Sequence, residues 1–242
     1  MVRYFFMLLL VMGFSKIKAQ NISANELLEQ SIDYHDPQNQ WKMFSGKMLI
    51  EMETPNSSLR KTVLEMDFPK QYFKSSVTKD NYTVESELDK GECVLKLNGS
   101  TSIFPKIKDS LGITCDRAKF MKNYYQYLYG LPMKLKDKGT NLNPVVQTKT
   151  FKGKEYLVLK ATYDESVGKD VWYFYFDPKT YAMEVYQFFH DESQNDGEYI
   201  LLSEIETTAS IQIPKVRAWY YNKDDKYLGT DTLQKLSMKT IN

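Results

Sequence analysis

Apolar and polar positions alternate with a period of two through much of this 242-residue chain, the mark of strands with one face buried. "KMLIEME" (47–53), "TVLEMDF" (62–68), "QYFKSSV" (71–77), "NYTVESE" (81–87) and "ECVLKL" (92–97) are short and rich in β-formers. Turn residues separate most of them, as in "TPNSS" (54–58), "FPK" (68–70) and "DKG" (89–91). This pattern predicts a meander of antiparallel strands. Further on, "VVQTKTF" (145–151) and "YLVLKATY" (156–163) read as a hairpin through Gly153. "DVWYFYF" and "AMEVYQFF" read as another, turned by "DPKT" (177–180) with proline at its second position. "EYILLSEIE" (198–206), "SIQIP" (210–214) and "VRAWYYN" (216–222) continue the series.

Two stretches break the alternation. "SANE" (23–26) is a capping box, in which Ser23 accepts from the backbone at Glu26 and Glu26 reaches back. Leu27, Leu28 and Ile32 follow at helical spacing. Asp36 precedes Pro37, and a residue before proline is pushed out of the helical region, so "HDP" is a helix stop. His35 then falls in the last turn, where the helix dipole favours a cation. Trp41 is expected to anchor the chain as it enters the first strand.

The second stretch is "CDRAKFMKNYYQYLYGLP" (115–132), with Asp116 as the expected N-cap and Gly130 and Pro132 as the stop of a helix over 116–129. Lys119, Lys122, Asn123 and Gln126 form one narrow polar stripe. Phe120, Met121, Tyr124, Tyr125, Tyr127, Leu128 and Tyr129 occupy the rest. So wide an apolar face must be covered on most of its circumference. Either the helix sits in the concave side of a curved sheet, or it is an ordinary core helix.

The N-terminus changes the picture. Arg3 precedes an apolar run from Tyr4 to Phe14 that is too short to span a bilayer, and Ala19 closes a small polar segment. Residues 1–20 read as a secretory signal peptide cut near Ala19 or Gln20, leaving 21–242 as a single exported domain. No Cys follows the run, so no lipid is expected there, and no other stretch is long enough for a transmembrane anchor. Removing residues 1–19 takes Arg3, Lys16 and Lys18, leaving 29 basic against 31 acidic residues. That near-neutral balance argues against nucleic acid as a partner. In an exported chain Cys93 and Cys115 can form a disulfide; two unpaired thiols are the alternative. No CxxC spacing exists, so zinc and thioredoxin-like chemistry are not expected.

Candidate chemistry is sparse. The only two histidines each precede an aspartate, in His35-Asp36 and His190-Asp191. Adjacent residues point in different directions, and a metal site needs three or four converging ligands, so neither a metal nor a catalytic site is expected there. The polar loop "HDESQNDGE" (190–198) reads as a solvated turn. There is no G-x-S-x-G, H-E-x-x-H or phosphate-binding glycine loop. Carboxylates alternate with apolar residues, as in "LIEME", which marks a solvated sheet face. Sequons at Asn21, Asn56, Asn81 and Asn98 would matter in a eukaryotic secretory pathway. No cofactor and no enzymatic activity are expected.

"YHDPQNQW", "FDPKTYAMEVYQFFHD" and "IPKVRAWYYNKDDKYLGTD" together resemble a family of exported proteins common in Bacteroidota, one with no established activity. Its architecture is similar to that of the lipoprotein-localisation carriers (LolA/LolB-like). The resemblance implies a mainly β fold with a few helices: an incomplete antiparallel barrel whose concave face is covered by helices. It also implies an apolar hollow for acyl chains, with the helix at 116–129 as the lid. Phe120, Met121, Tyr124, Tyr125 and Leu128 would then be the exchangeable lid contacts. Three functions follow in order of expectation: a monomeric periplasmic or secreted binder of a lipid or acylated protein, an envelope interaction module with a filled core, and a hydrolase with scattered carboxylates.

Overall fold

The computed structural model describes residues 22–238; the expected signal peptide and the Asn21 sequon lie outside them. Ser23 and Glu26 exchange both hydrogen bonds of the capping box and open α1 (Ala24–His35). The helix stops at Asp36, whose buried carboxylate accepts from the amides of Gln40 and Trp41 at 2.7 and 2.8 Å. A short 3-10 turn, Trp41–Met43, then delivers the chain to the first strand. Trp41 is buried against Phe44 and Phe68 and anchors this connection as expected.

One antiparallel sheet follows. Its first half is β1 (Ser45–Glu53), β2 (Arg60–Asp67), β3 (Tyr72–Lys79), β4 (Tyr82–Asp89) and β5 (Glu92–Leu97), paired in sequence as a meander. Two helices interrupt it: α2 (Pro105–Ser110) and α3 (Cys115–Tyr129). The second half comprises β6 (Thr140–Leu142), β7 (Gln147–Phe151), β8 (Lys154–Tyr163), β9 (Val171–Phe176), β10 (Met183–Phe189), β11 (Glu198–Thr208), β12 (Ile211–Tyr221) and β13 (Tyr227–Met238). The strand order is β5-β4-β3-β2-β1-β13-β12-β11-β10-β9-β8-β6, with β7 also on β8, and the sheet does not close.

The last strand therefore joins the two halves: β13 lies between β1 and β12. The alternation did not predict it. A register shift on β1 between Leu49 and Ile50 leaves Gln234 as an extra residue, so inward-facing Leu233 and Leu236 stand three apart rather than two. The segments expected as two strands over 210–222 are one strand, β12, with Pro214 inside it. Pro214 pairs with Ile205 of β11, while the pairing of β12 with β13 starts only at Val216, so the missing N–H opens no gap on that side. The expected N-cap of α3 also moves: the Thr114 hydroxyl accepts from Arg117 N at 3.1 Å, and Asp116 sits in the first turn.

Strands of the two halves bury different amounts of surface. In β2, Thr62, Leu64 and Met66 face the core while Lys61 and Val63 face water. In β9 both faces are covered: Phe174 and Phe176 join the main core, and Tyr173 and Tyr175 join a smaller outer cluster with Tyr156, Val158 and Val185. The sequon residues Asn56 and Asn98 are turn positions with φ of 59 and 49, which asparagine tolerates better than most residues. Asn98 also caps the β4 start, its side-chain oxygen accepting from Thr83 N at 2.8 Å. No helix among the described residues is long and apolar enough to cross a membrane.

His35 departs from expectation. It is not a cation on the end of a dipole but a fully buried neutral ring. Nδ1–H donates to the Gln212 carbonyl at 2.7 Å, and Nε2 accepts from the Met183 amide at 3.0 Å. One ring thus ties α1 to both β12 and β10. Burial pushes its pKa down from 6.5 to about 4, and Arg217 adds to that. With both ring nitrogens engaged by backbone, His35 is not a metal ligand. His190 lies elsewhere in an exposed loop, its ring paired with Asp170 at 2.7 Å.

Between pH 6.5 and about 4 only the unfolded chain takes up the His35 proton, so stability falls as pH drops through that window. The loss reaches about 3 kcal/mol at its lower end. Urea melts at pH 7.5 and 4.5 should show this drop in the wild type and a much smaller one in His35→Gln; equal drops would assign the effect to other groups. Cys93 of β5 and Cys115 of α3 form a disulfide across 22 residues. By loop-closure entropy, Cys93→Ala/Cys115→Ala should lose about 3 kcal/mol in the same melt, and reductant should lower the wild type to match.

Candidate functional site

Helix α3 lies across the concave face of the open sheet. The disulfide fixes its first residue to β5, one edge of the sheet. Near its other end the Tyr127 hydroxyl is hydrogen-bonded to that of Tyr163 on β8, and the Tyr127 ring packs on Trp172 of β9. The helix is thus held at both ends of the strand order. Its C-terminal end is also wedged: a Cβ at Gly130 would overlap the Trp41 indole and the Gln126 carbonyl.

Of the five expected lid residues, Tyr125 and Leu128 are buried against the sheet, and Met121 and Tyr124 pack on the core from the flanks. Phe120 is on the outer side, 55% exposed, stacked on Tyr124 and under the Arg117 guanidinium. The buried face runs through Ala118, Met121, Tyr125 and Leu128–Tyr129, narrower than the aromatic content of the helix suggests. Burial raises the pKa of Tyr124 and Tyr125, and the Tyr125 hydroxyl also interacts with Thr62 of β2.

Beneath α3 the floor combines aromatic surface with buried polar groups. Tyr186, Phe174, Trp172 and Trp219 supply the aromatic part, Trp172 and Phe174 being stacked with centroids 5.9 Å apart. Among them stands Arg217, 1% exposed. Its guanidinium lies 3.8 Å over the Tyr129 ring. Nη1 donates to the Pro214 carbonyl at 2.7 Å and Nη2 to the Leu128 carbonyl at 3.5 Å. A cation at the end of α3 complements the negative end of the helix dipole. Asp231 of β13 faces both Arg217 and Arg60, with Arg60 Nη2 4.0 Å from its carboxylate. Burial raises the Asp231 pKa, and the two arginines oppose that rise.

Arg217, Asp231 and Tyr186 were not singled out from the sequence, and Tyr129 was read only as part of the apolar face of its helix. The signal for Arg217 was present: it shares parity in its strand with Ile213 and Trp219, both buried, so an arginine stood on an inward face. The floor is filled by the chain's own side chains. Two open hollows lie to the side, both touching Phe68. One, about 430 Å3, is lined by Ile32, Trp41, Met133 and charged residues of α1 and the Met133–Lys136 turn. The other, about 190 Å3, is lined by Asp67, Tyr72, Lys122 and Gln126. Two residues of the polar stripe of α3, Lys122 and Gln126, thus line the second hollow, while Lys119 and Asn123 face solvent. Among the described residues no group of three His, Cys, Asp or Glu side chains is placed to hold a metal ion.

Comparison with solved structures places this architecture. A LolA superfamily protein from Nitrosomonas europaea superposes with a TM-score of 0.53 over 91% of this chain and 96% of its own, at 9% identity. A domain described as an outer membrane lipoprotein-sorting protein, from Vibrio parahaemolyticus, gives 0.52 over 88% and 92%, at 12% identity. At such identities the likeness establishes the fold, a LolA-like open sheet, and nothing finer. Among curated proteins none matches the sequence. The model of a family of unknown function, DUF6503, matches residues 3–235, and the chain belongs to that family.

Proposed function

We propose that this protein binds the acyl chains of a lipid or lipoprotein on its concave face, and that it catalyses no reaction. One observation carries the reading: a helix rich in aromatic residues straps an open sheet, disulfide-bonded to β5 at one end and held at the other by side-chain contacts to β8 and β9 where the chain runs on toward β6. The covalent end acts as hinge. When the free end swings out, acyl chains take the places of Met121, Tyr124, Tyr125 and Leu128, and Phe120 meets the chains at the rim. Each methylene transferred from water contributes about 0.8 kcal/mol, so one long chain can offset the contacts that α3 gives up. The neighbour described as a lipoprotein-sorting domain supports the same reading by analogy of fold. The protein would act as a monomeric single domain, residues 21–242, exported behind a signal peptide to the periplasm or beyond.

A second reading draws on the filled floor: an envelope interaction module whose core never opens. Native mass spectrometry on protein purified without detergent separates the two. The carrier reading expects a bound lipid in near-stoichiometric amount, or binding of added phospholipid, fatty acid or acylated peptide by the delipidated protein. If the protein is isolated ligand-free and all three probes fail, the carrier reading is withdrawn in favour of the module.

A further inference from the structure

The polar groups beneath α3 have an arrangement that an acyl-chain floor does not need. Arg217 is buried to 1% exposure, yet its Nε has no hydrogen-bond partner. The Tyr186 hydroxyl, fully buried, interacts with the Arg217 guanidinium, but no acceptor takes up its proton. The carboxylate that faces Arg217, Asp231, is shared with Arg60. Of the groups that Arg217 does engage, only Pro214 O belongs to its own strand. The other two, the Leu128 carbonyl and the Tyr129 ring, belong to the end of α3. Both are electron-rich: one is a terminal carbonyl at the negative end of a helix dipole, the other the face of an aromatic ring.

The end of α3 therefore acts as a stand-in ligand for Arg217. Once the helix swings out, the guanidinium retains the Pro214 carbonyl, the Tyr186 hydroxyl and a carboxylate shared with Arg60. It then stands at the end of an apolar floor formed by Trp172, Phe174 and Tyr186. A buried cation that loses a partner is costly until another anion replaces it, and guanidinium favours planar oxygen anions. We infer that the site selects amphiphiles with an anionic oxygen head, a carboxylate or a phosphate monoester, seated head-inward on Arg217 and Tyr186 with the chain along the aromatic floor. A neutral head could accept a hydrogen bond there but would bring no charge to offset the buried guanidinium, so its bonds would be weaker than those of an anion.

This inference rests on the carrier reading, and one experiment keeps their failures apart. Oleate, oleyl phosphate, methyl oleate and oleyl alcohol are titrated into the delipidated protein at pH 8, below their aggregation concentrations, with tryptophan fluorescence as the readout. At least one anion should bind about tenfold or more tighter than either neutral analogue. The order of the two anions identifies the carboxylate or the phosphate as the head. Arg217→Met should bring anion and neutral analogue to within about twofold of each other by weakening the anion. Arg217→Lys should keep part of the preference. If Arg217→Met does not fold, Tyr186→Phe serves in its place and should cut the preference without weakening methyl oleate. Equal binding of charged and neutral analogues, or a preference that survives in both Arg217→Met and Tyr186→Phe, overturns the inference and leaves the carrier reading intact. Failure of all four to bind overturns the inference, and failure of phospholipid and acylated peptide as well removes the carrier reading with it.

Discussion

Helix α3 crosses the mouth of an open sheet, bonded to β5 at one end and held on β8 and β9 at the other. An antiparallel sheet that closed on itself would bury its inner face within the barrel. One that stays open leaves that face in need of a cover, and β2, β9, β12 and β13 all contribute apolar side chains to it. The strap is what allows so many of them to be dry. It also explains the neighbouring packing. Trp41 sits where it must to receive the end of α3, Gly130 is small because Trp41 is there, and α1 lies on β12 through His35.

The same arrangement keeps charge in the interior. Arg217 and Asp231 are each at least nine-tenths buried, and neither is fully paired by the other. Apolar side chains of the same volume would often serve stability as well or better. A buried guanidinium that reaches a carbonyl of the covering helix is useful for a different reason: its interaction energy depends on where the helix is. The rest of the core is indifferent to α3 beyond the area it covers. Arg217 ties the position of the helix to the charge of the floor.

Local chemistry was legible in the sequence, and long-range chemistry was not. The capping box, the stop at Asp36 and the turn at Asp177 rest on residues a few positions apart, and each formed as read. The strands of the first half were legible because one face of each is solvated. β13 was missed because its inward side carries Gly229 and Asp231 and its bulge at Gln234 breaks the period. His35 was assigned the wrong charge because the groups that engage it, Gln212 and Met183, are distant in the chain. Phe120 could not be oriented because a helix so rich in aromatic residues marks its polar side better than its buried one. The candidate site was only half visible for the same reason: the aromatic helix announces itself, whereas the arginine it rests on lies in an unremarkable strand 89 residues away.

The disulfide at the start of α3 bears on more than the stability of the fold. If α3 is the lid that the carrier reading makes it, it would never leave the neighbourhood of its site and would compete with any ligand at a high effective concentration, of millimolar order for short tethers. Ligand binding would then be opposed by a fixed intramolecular rival, and the observed dissociation constant would be the intrinsic one divided by the fraction of molecules whose helix is open. Cutting that covalent link would lower the rival's effective concentration without touching a single ligand contact. On the proposed carrier reading, a compartment that keeps Cys93 and Cys115 oxidised would set how tightly the concave face is guarded as well as whether the fold is held.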